Sequence, residues 1–165
     1  MKTKNIIIIA IASLLIPLFG AQASAATEAQ RKADFSISKK GLALEGYDPV
    51  SYFEGGPKEG SKNISSTVKG ITYYFTSEAN KAKFDKDPSK YEPAYGGWCA
   101  WAMAEDGSKT EVDPETYKIV DGRLFVYYNG FFANTLKLWN EKAEKSGEAG
   151  LVKNADKNWD KILGS

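Results

Sequence analysis

The sequence predicts an α+β fold, a single small domain built from two hairpin-plus-helix units followed by C-terminal helices. Three observations predict it. Stretches of period two flank Gly-containing tight turns at Lys69-Gly70 and Asp121-Gly122. Helical stripes follow each hairpin rather than joining parallel strands, and no long βαβ pattern occurs.

Met1 to Ala25 has the parts of a secretory signal: Lys2 and Lys4, an apolar run of fourteen residues from Ile6 to Phe19, and Ala23-Ser24-Ala25 as a cleavage site. The run is short for a spanning helix, which needs about 20 residues. With no Arg-Arg pair before it and no Cys after it, general secretion into a periplasm or the medium is the expectation. The mature form is then expected to have no membrane anchor. Without Lys2 and Lys4, 20 basic residues face 21 acidic ones, a balance that disfavours nucleic acid and anionic membranes as partners.

Residues 26–41 carry no sustained apolar stripe and read as a flexible lead-in, and residues 42–165 as the folded domain. Leu42 and Leu44 alternate with polar or small neighbours. Gly46-Tyr47-Asp48-Pro49 then starts a short helix, with Asp48 as N-cap and Pro49 at the first helical position. Ile64, Ser66 and Val68 pair across the turn with Ile71, Tyr73 and Phe75. Ser77 caps a helix through Lys86, with Ala79, Ala82 and Phe84 on its expected buried side. Asp87-Pro88 and Asp113-Pro114 repeat the cap-plus-proline device. Tyr117 to Val120 and Arg123 to Tyr128 form the clearest hairpin, since Asp-Gly favours type I′ geometry. Phe132, Leu136, Trp139 and Ala143 give the stripe of the next helix; Leu151, Ala155, Trp159, Ile162 and Leu163 give that of the last. Ser66 to Lys86 and Tyr117 to Lys145 thus share one order, strand, tight turn, aromatic strand, helix.

The chemistry concentrates at Tyr95-Gly96-Gly97-Trp98-Cys99-Ala100-Trp101-Ala102-Met103, which holds the single cysteine and the only methionine outside the signal segment. The chain has no His, which removes the commonest general base, every Cys-His or Ser-His pair and the usual zinc ligand sets. With one Cys there is no internal disulfide.

Three readings of Cys99 follow. As a redox thiol, it would sit where a Gly-Gly loop turns into a helix, since helix N-termini favour thiolate; an external thiol or partner protein would then have to close the cycle. As a soft-metal ligand, it would bind Cu(I) together with Met103, because thiolate and thioether select that ion; the two are neighbours only if they share a helix. As a small buried hydrophobe, it would pack within a ligand or protein interaction domain. Trp98 and Trp101 are candidates to shield a cation or stack on a ligand, and aromatic pairs are also common core residues. Asp48, Asp87 and Asp113 read as helix N-caps.

Taken together, Gly46-Tyr47-Asp48-Pro49-Val50-Ser51-Tyr52-Phe53, Tyr95-Gly96-Gly97-Trp98-Cys99-Ala100 and Ile119-Val120-Asp121-Gly122-Arg123-Leu124 resemble exported proteins of the YHS-domain family. The likeness runs from about Leu42 to Leu163 and is greatest to the branch whose cysteine position can hold selenocysteine. The resemblance implies a small α+β domain linked to metal handling, with a thiol or selenol as its distinctive group. It carries over Cys99 as a candidate functional residue and Asp48 as a motif position. Where the family's Tyr-His-Ser signature would fall, this chain has Tyr73-Tyr74-Phe75-Thr76-Ser77, so a metal site using that His is not carried over.

Overall fold

Two β-hairpins frame the computed structural model, which describes residues 26–164. β1 (Ser61–Val68) pairs antiparallel with β2 (Ile71–Phe75), and β3 (Asp113–Val120) with β4 (Arg123–Tyr127). Both turn residues are left-handed in each hairpin, with φ of 46° and 81° at Lys69 and Gly70 and of 50° and 76° at Asp121 and Gly122. That is the type I′ turn which matches strand twist. The helices are α1 (Glu28–Asp34), α2 (Glu78–Lys86), α3 (Pro88–Tyr91), α4 (Ala100–Glu105), α5 (Thr135–Ser146) and α6 (Glu148–Leu163). The fold is α+β, two hairpin-plus-helix units with C-terminal helices in one small domain.

The repeat is much closer than the sequence shows. A shift of 52 residues carries one hairpin register onto the other, including the irregularity that follows Ser61 in β1 and Asp113 in β3. The correspondence extends upstream with a shift of 51 residues. Leu44, Glu45 and Gly46 run left-handed at φ of 50°, 52° and 95°, and so do Tyr95, Gly96 and Gly97 at 55°, 61° and 88°. Two residues beyond each run, Asp48 N–H donates to Lys58 O at 2.9 Å and Cys99 N–H to Thr110 O at 3.0 Å. Parallel bridges Leu42 to Thr72 and Pro93 to Leu124 complete the match.

β2 buries Ile71, Tyr73 and Phe75 on one face, against Phe84, Tyr91 and Val50. β4 is covered on both faces: Phe125 and Tyr127 pack with Tyr95, Met103, Trp139, Leu151 and Ala155, whereas Leu124 and Val126 pack with Leu44 and Tyr52. The second hairpin therefore sits at the centre of the molecule.

Four expectations change. Ala79 and Ala82 are exposed, leaving Phe84 as the buried residue of α2, which reaches the β1–β2 sheet through ring contacts with Tyr73 and Phe75. Phe132 lies outside α5, which starts at Thr135 after the cap Asn134, whose side chain accepts from Lys137 N–H at 3.1 Å. Asp113 opens a strand rather than a helix: its carboxylate accepts Glu115 N–H at 3.0 Å and the Thr116 hydroxyl at 2.8 Å, a local turn absorbed in the β3 irregularity. Within residues 26–41, α1 is anchored, with Arg31 paired to Glu92 and lying over the Phe35 ring, Ser36 N–H bonded to Gly96 O, and Phe35 packed on Trp159. The signal segment lies outside the described residues, among which no helix is long and apolar enough to cross a membrane.

Candidate functional site

Left-handed backbone at Tyr95, Gly96 and Gly97 aims the chain into α4. Gly96 has no room for a side chain, since a Cβ there would lie 2.8 Å from the Phe35 ring and 2.9 Å from the Trp159 ring. Cys99 follows as the N-cap of α4, with extended ψ of 117°, and its carbonyl accepts Met103 N–H at 3.0 Å. The cysteine does start a helix.

Its sulfur is fully buried, and none of the four main clefts is lined by it. Tyr128 N–H donates to Cys99 Sγ at 3.4 Å, and Thr135 Oγ1 lies 3.3 Å from the sulfur. The Thr135 hydroxyl donates to Tyr128 O at 2.9 Å, so its oxygen is left to accept the thiol hydrogen. Thr135 N–H reaches the same carbonyl at 2.9 Å. Cys99 thus latches the two residues, Tyr128 and Thr135, that close the base of the loop between them.

That loop carries Phe131 and Phe132, 98 % and 89 % exposed, with rings edge to face at 5.4 Å. An Asn129–Asn134 bridge and a Gly130 N–H to Ala133 O bond of 3.1 Å close it. In the first unit Ser77 caps α2 directly after β2, with only Thr76 between. The aromatic loop is an insertion peculiar to the second unit.

Asp48 sits in the first unit where Cys99 sits in the second. It is fully buried, and its carboxylate accepts Val50 N–H at 2.8 Å, Ser51 N–H at 3.4 Å, Thr76 N–H at 2.9 Å, the Thr76 hydroxyl at 2.7 Å and Asn80 Nδ2 at 2.8 Å. Its oxygens are thereby committed to tying the cap to the β2–α2 junction. Thr76 and Tyr128 are equivalent positions, so the same backbone N–H meets a carboxylate in one unit and a thiol in the other.

The remaining candidates scatter. Met103 is buried in the core with Tyr95 and Trp139. Trp98 is half-buried, its indole N–H bonded to Asp34 O at 2.6 Å, and it lines a cleft beside α1. Trp101 is half-buried and takes Lys142 Nζ at 5.4 Å from its ring centroid, an intramolecular cation. The donors do not fit a closed Cu(I) site: Cys99 and Met103 are the two soft groups, and the described residues hold no cluster of three or more His, Cys, Asp or Glu. The buried Tyr127 hydroxyl lacks a hydrogen-bond partner. Burial, followed by the nearby charge of Glu148, pushes its phenol far upward, which keeps it a protonated, poor ligand.

Sequence reasoning missed Tyr128, Thr135 and the Phe131-Phe132 tip. The available signal was Asn134-Thr135, a good cap, which competes with the helical spacing that drew Phe132 into the stripe. Compared with known proteins, the chain matches no family model, no curated protein and no solved structure.

Proposed function

We propose that this chain is an exported interaction domain of YHS type that engages a partner protein through Phe131 and Phe132, with Cys99 as the internal latch of the loop presenting them. The observation that carries this reading is the exposure of two adjacent phenylalanines, 98 % and 89 %, on a closed insertion that the first unit lacks. Full exposure of such rings is costly to solubility and is characteristic of recognition surfaces. Two rings supply roughly 300 to 500 Å², whereas a stable dimer buries about 800 Å² per partner. A knob of this size suits an apolar pocket on another protein. One acid sits at the base of the loop, where Asp113 accepts Asn129 Nδ2 at 3.2 Å.

A photo-crosslinking residue in place of Phe131, in cells exporting the protein, tests this. One heterologous protein adduct is expected, mapping to an apolar pocket and lost in Phe132→Ser. Adducts only with lipid, only with a second copy, or with nothing overturn the reading. Phe131→Ser and Phe132→Ser themselves should shift stability by less than about 0.5 kcal/mol.

A second reading, thiol redox chemistry, is favoured by the Tyr128 N–H that donates to Sγ, a backbone donor of the kind that also serves a thiolate. A hydroperoxide would transfer one oxygen to the sulfur, giving sulfenic acid and water or an alcohol. A first external thiol would then form a mixed disulfide with loss of water, and a second would release Cys99. Because the sulfur is fully buried, this requires the loop to open. Steady thiol-dependent peroxide consumption that Cys99→Ser abolishes would place this reading first.

A further inference from the structure

A cleft of about 1020 Å³ opens between α1, the turn at Ser38–Gly41 and the β1–β2 turn. Lys32, Lys39, Lys40 and Lys69 line it, against Glu28 as its one acid. Lys32 is paired with Glu28 at 2.6 Å. Among the described residues, Lys39, Lys40 and Lys69 have no carboxylate within ion-pair distance. Three lysines without ion-pair partners around one cleft leave it with a net positive charge, which attracts an anion.

The walls are tied together. Gly70 is left-handed, and a Cβ there would fall 2.4 Å from Glu28 Cγ and 2.5 Å from Lys32 Cε, so its lack of a side chain lets α1 lie against the β1–β2 turn. Thr72 N–H donates to Gly41 O at 2.8 Å and Ala43 N–H to Thr72 O at 3.0 Å, fixing the opposite wall. Trp98, pinned through its indole N–H, joins Phe35 as an aromatic surface within the lysine-lined space. The volume is far larger than one simple oxyanion needs and is of the size that holds a ring-bearing ligand.

We infer that this cleft binds a multivalent oxyanion carrying a flat ring face, with the lysines taking the charges and Trp98 taking the ring. The site shares no residue with the Phe131-Phe132 loop and stands independently of the function proposed for that loop. It also gives Trp98 a role that neither the thiol nor the copper reading supplies.

Pyrenetetrasulfonate, flat and fourfold charged, and inorganic tripolyphosphate, charged only, serve as probes in titrations followed by Trp fluorescence and amide NMR shifts. Pyrenetetrasulfonate is expected to bind the tighter of the two, to shift residues 32–41, 67–72 and 98, and to weaken as salt is raised. Lys39→Gln/Lys40→Gln/Lys69→Gln should weaken both probes about tenfold or more. Trp98→Leu should remove the preference for the flat probe and spare tripolyphosphate. A control, Lys137→Gln/Lys145→Gln/Lys153→Gln, keeps the same net charge change away from the cleft. Equal losses in the two triple variants mean general charge attraction and overturn the site, as do shifts centred elsewhere or an unaltered preference in Trp98→Leu. All the lysines replaced are exposed, so loss of folding does not confuse the result.

Discussion

Asp48 and Cys99 are structural counterparts: each follows a run of three left-handed residues, and each accepts the backbone N–H at the end of the following hairpin, Thr76 for one and Tyr128 for the other. The carboxylate meets five donors, the sulfur one backbone donor and one hydroxyl. The first unit thus shows what the position does for the fold, and the second what a thiol does in its place.

Removing the two side chains should have unequal cost. Asp48→Ala leaves buried donors without an acceptor and should lose about 3 kcal/mol or more. Cys99→Ala gives up a weak acceptor and a small volume, for about 1 to 2 kcal/mol. Urea unfolding of both variants checks the order; equal costs would remove the equivalence as an energetic statement.

Gly96 and Gly122 both adopt positive φ, 61° and 76°, but only Gly96 faces side chains. Gly122→Ala should cost about 1 kcal/mol, the conformational penalty alone. Gly96→Ala must also displace Phe35 or Trp159 and should cost about 3 kcal/mol, with α1 loosened from the body. Thermal melts with hydrogen exchange of Glu28–Asp34 measure both effects.

Glu148 couples α6 to the core and to pH. Its carboxylate accepts Lys118 Nζ at 2.5 Å and the indole N–H of the fully buried Trp139 at 2.7 Å. Burial pushes its pKa upward, but the bonds from Lys118 and Trp139 and the Lys118 charge outweigh this and hold it below the ordinary carboxylate value. A carboxyl lowered on folding stabilises the native state above its unfolded pKa, and that contribution disappears as pH falls through the folded value. The stability gap between the wild type and Glu148→Gln should therefore be full near neutral pH and shrink below about pH 4.5. A gap that widens on acidification would contradict the assignment.

Some features could be read from the chain because their causes are local. Lys69-Gly70 and Asp121-Gly122 set the hairpins through turn geometry, Ser77 and the break at Gly147 set helix ends, and period-two runs set the strand faces. Each depends on residues only a few positions apart, so the sequence alone determined the fold class and most elements. It suggested a helix beginning at or just before Cys99, and the structure starts α4 at Ala100 with Cys99 as its N-cap. It misplaced Phe132, because a spacing of three and four residues says which residues would share a face but not whether the helix has begun.

What only the tertiary structure decided involves partners distant in sequence. Cys99 is enclosed by Tyr128 and Thr135, Asp48 by Thr76 and Asn80, and the lysines of the α1 cleft are brought to the Lys69 turn from more than one segment. Burial and hydrogen-bond partnership depend on what the rest of the chain packs against each side chain, which residue type and spacing do not encode. The sequence marked Cys99 by its rarity; the fold made it the counterpart of a buried acid, beneath a loop whose two phenylalanines face solvent.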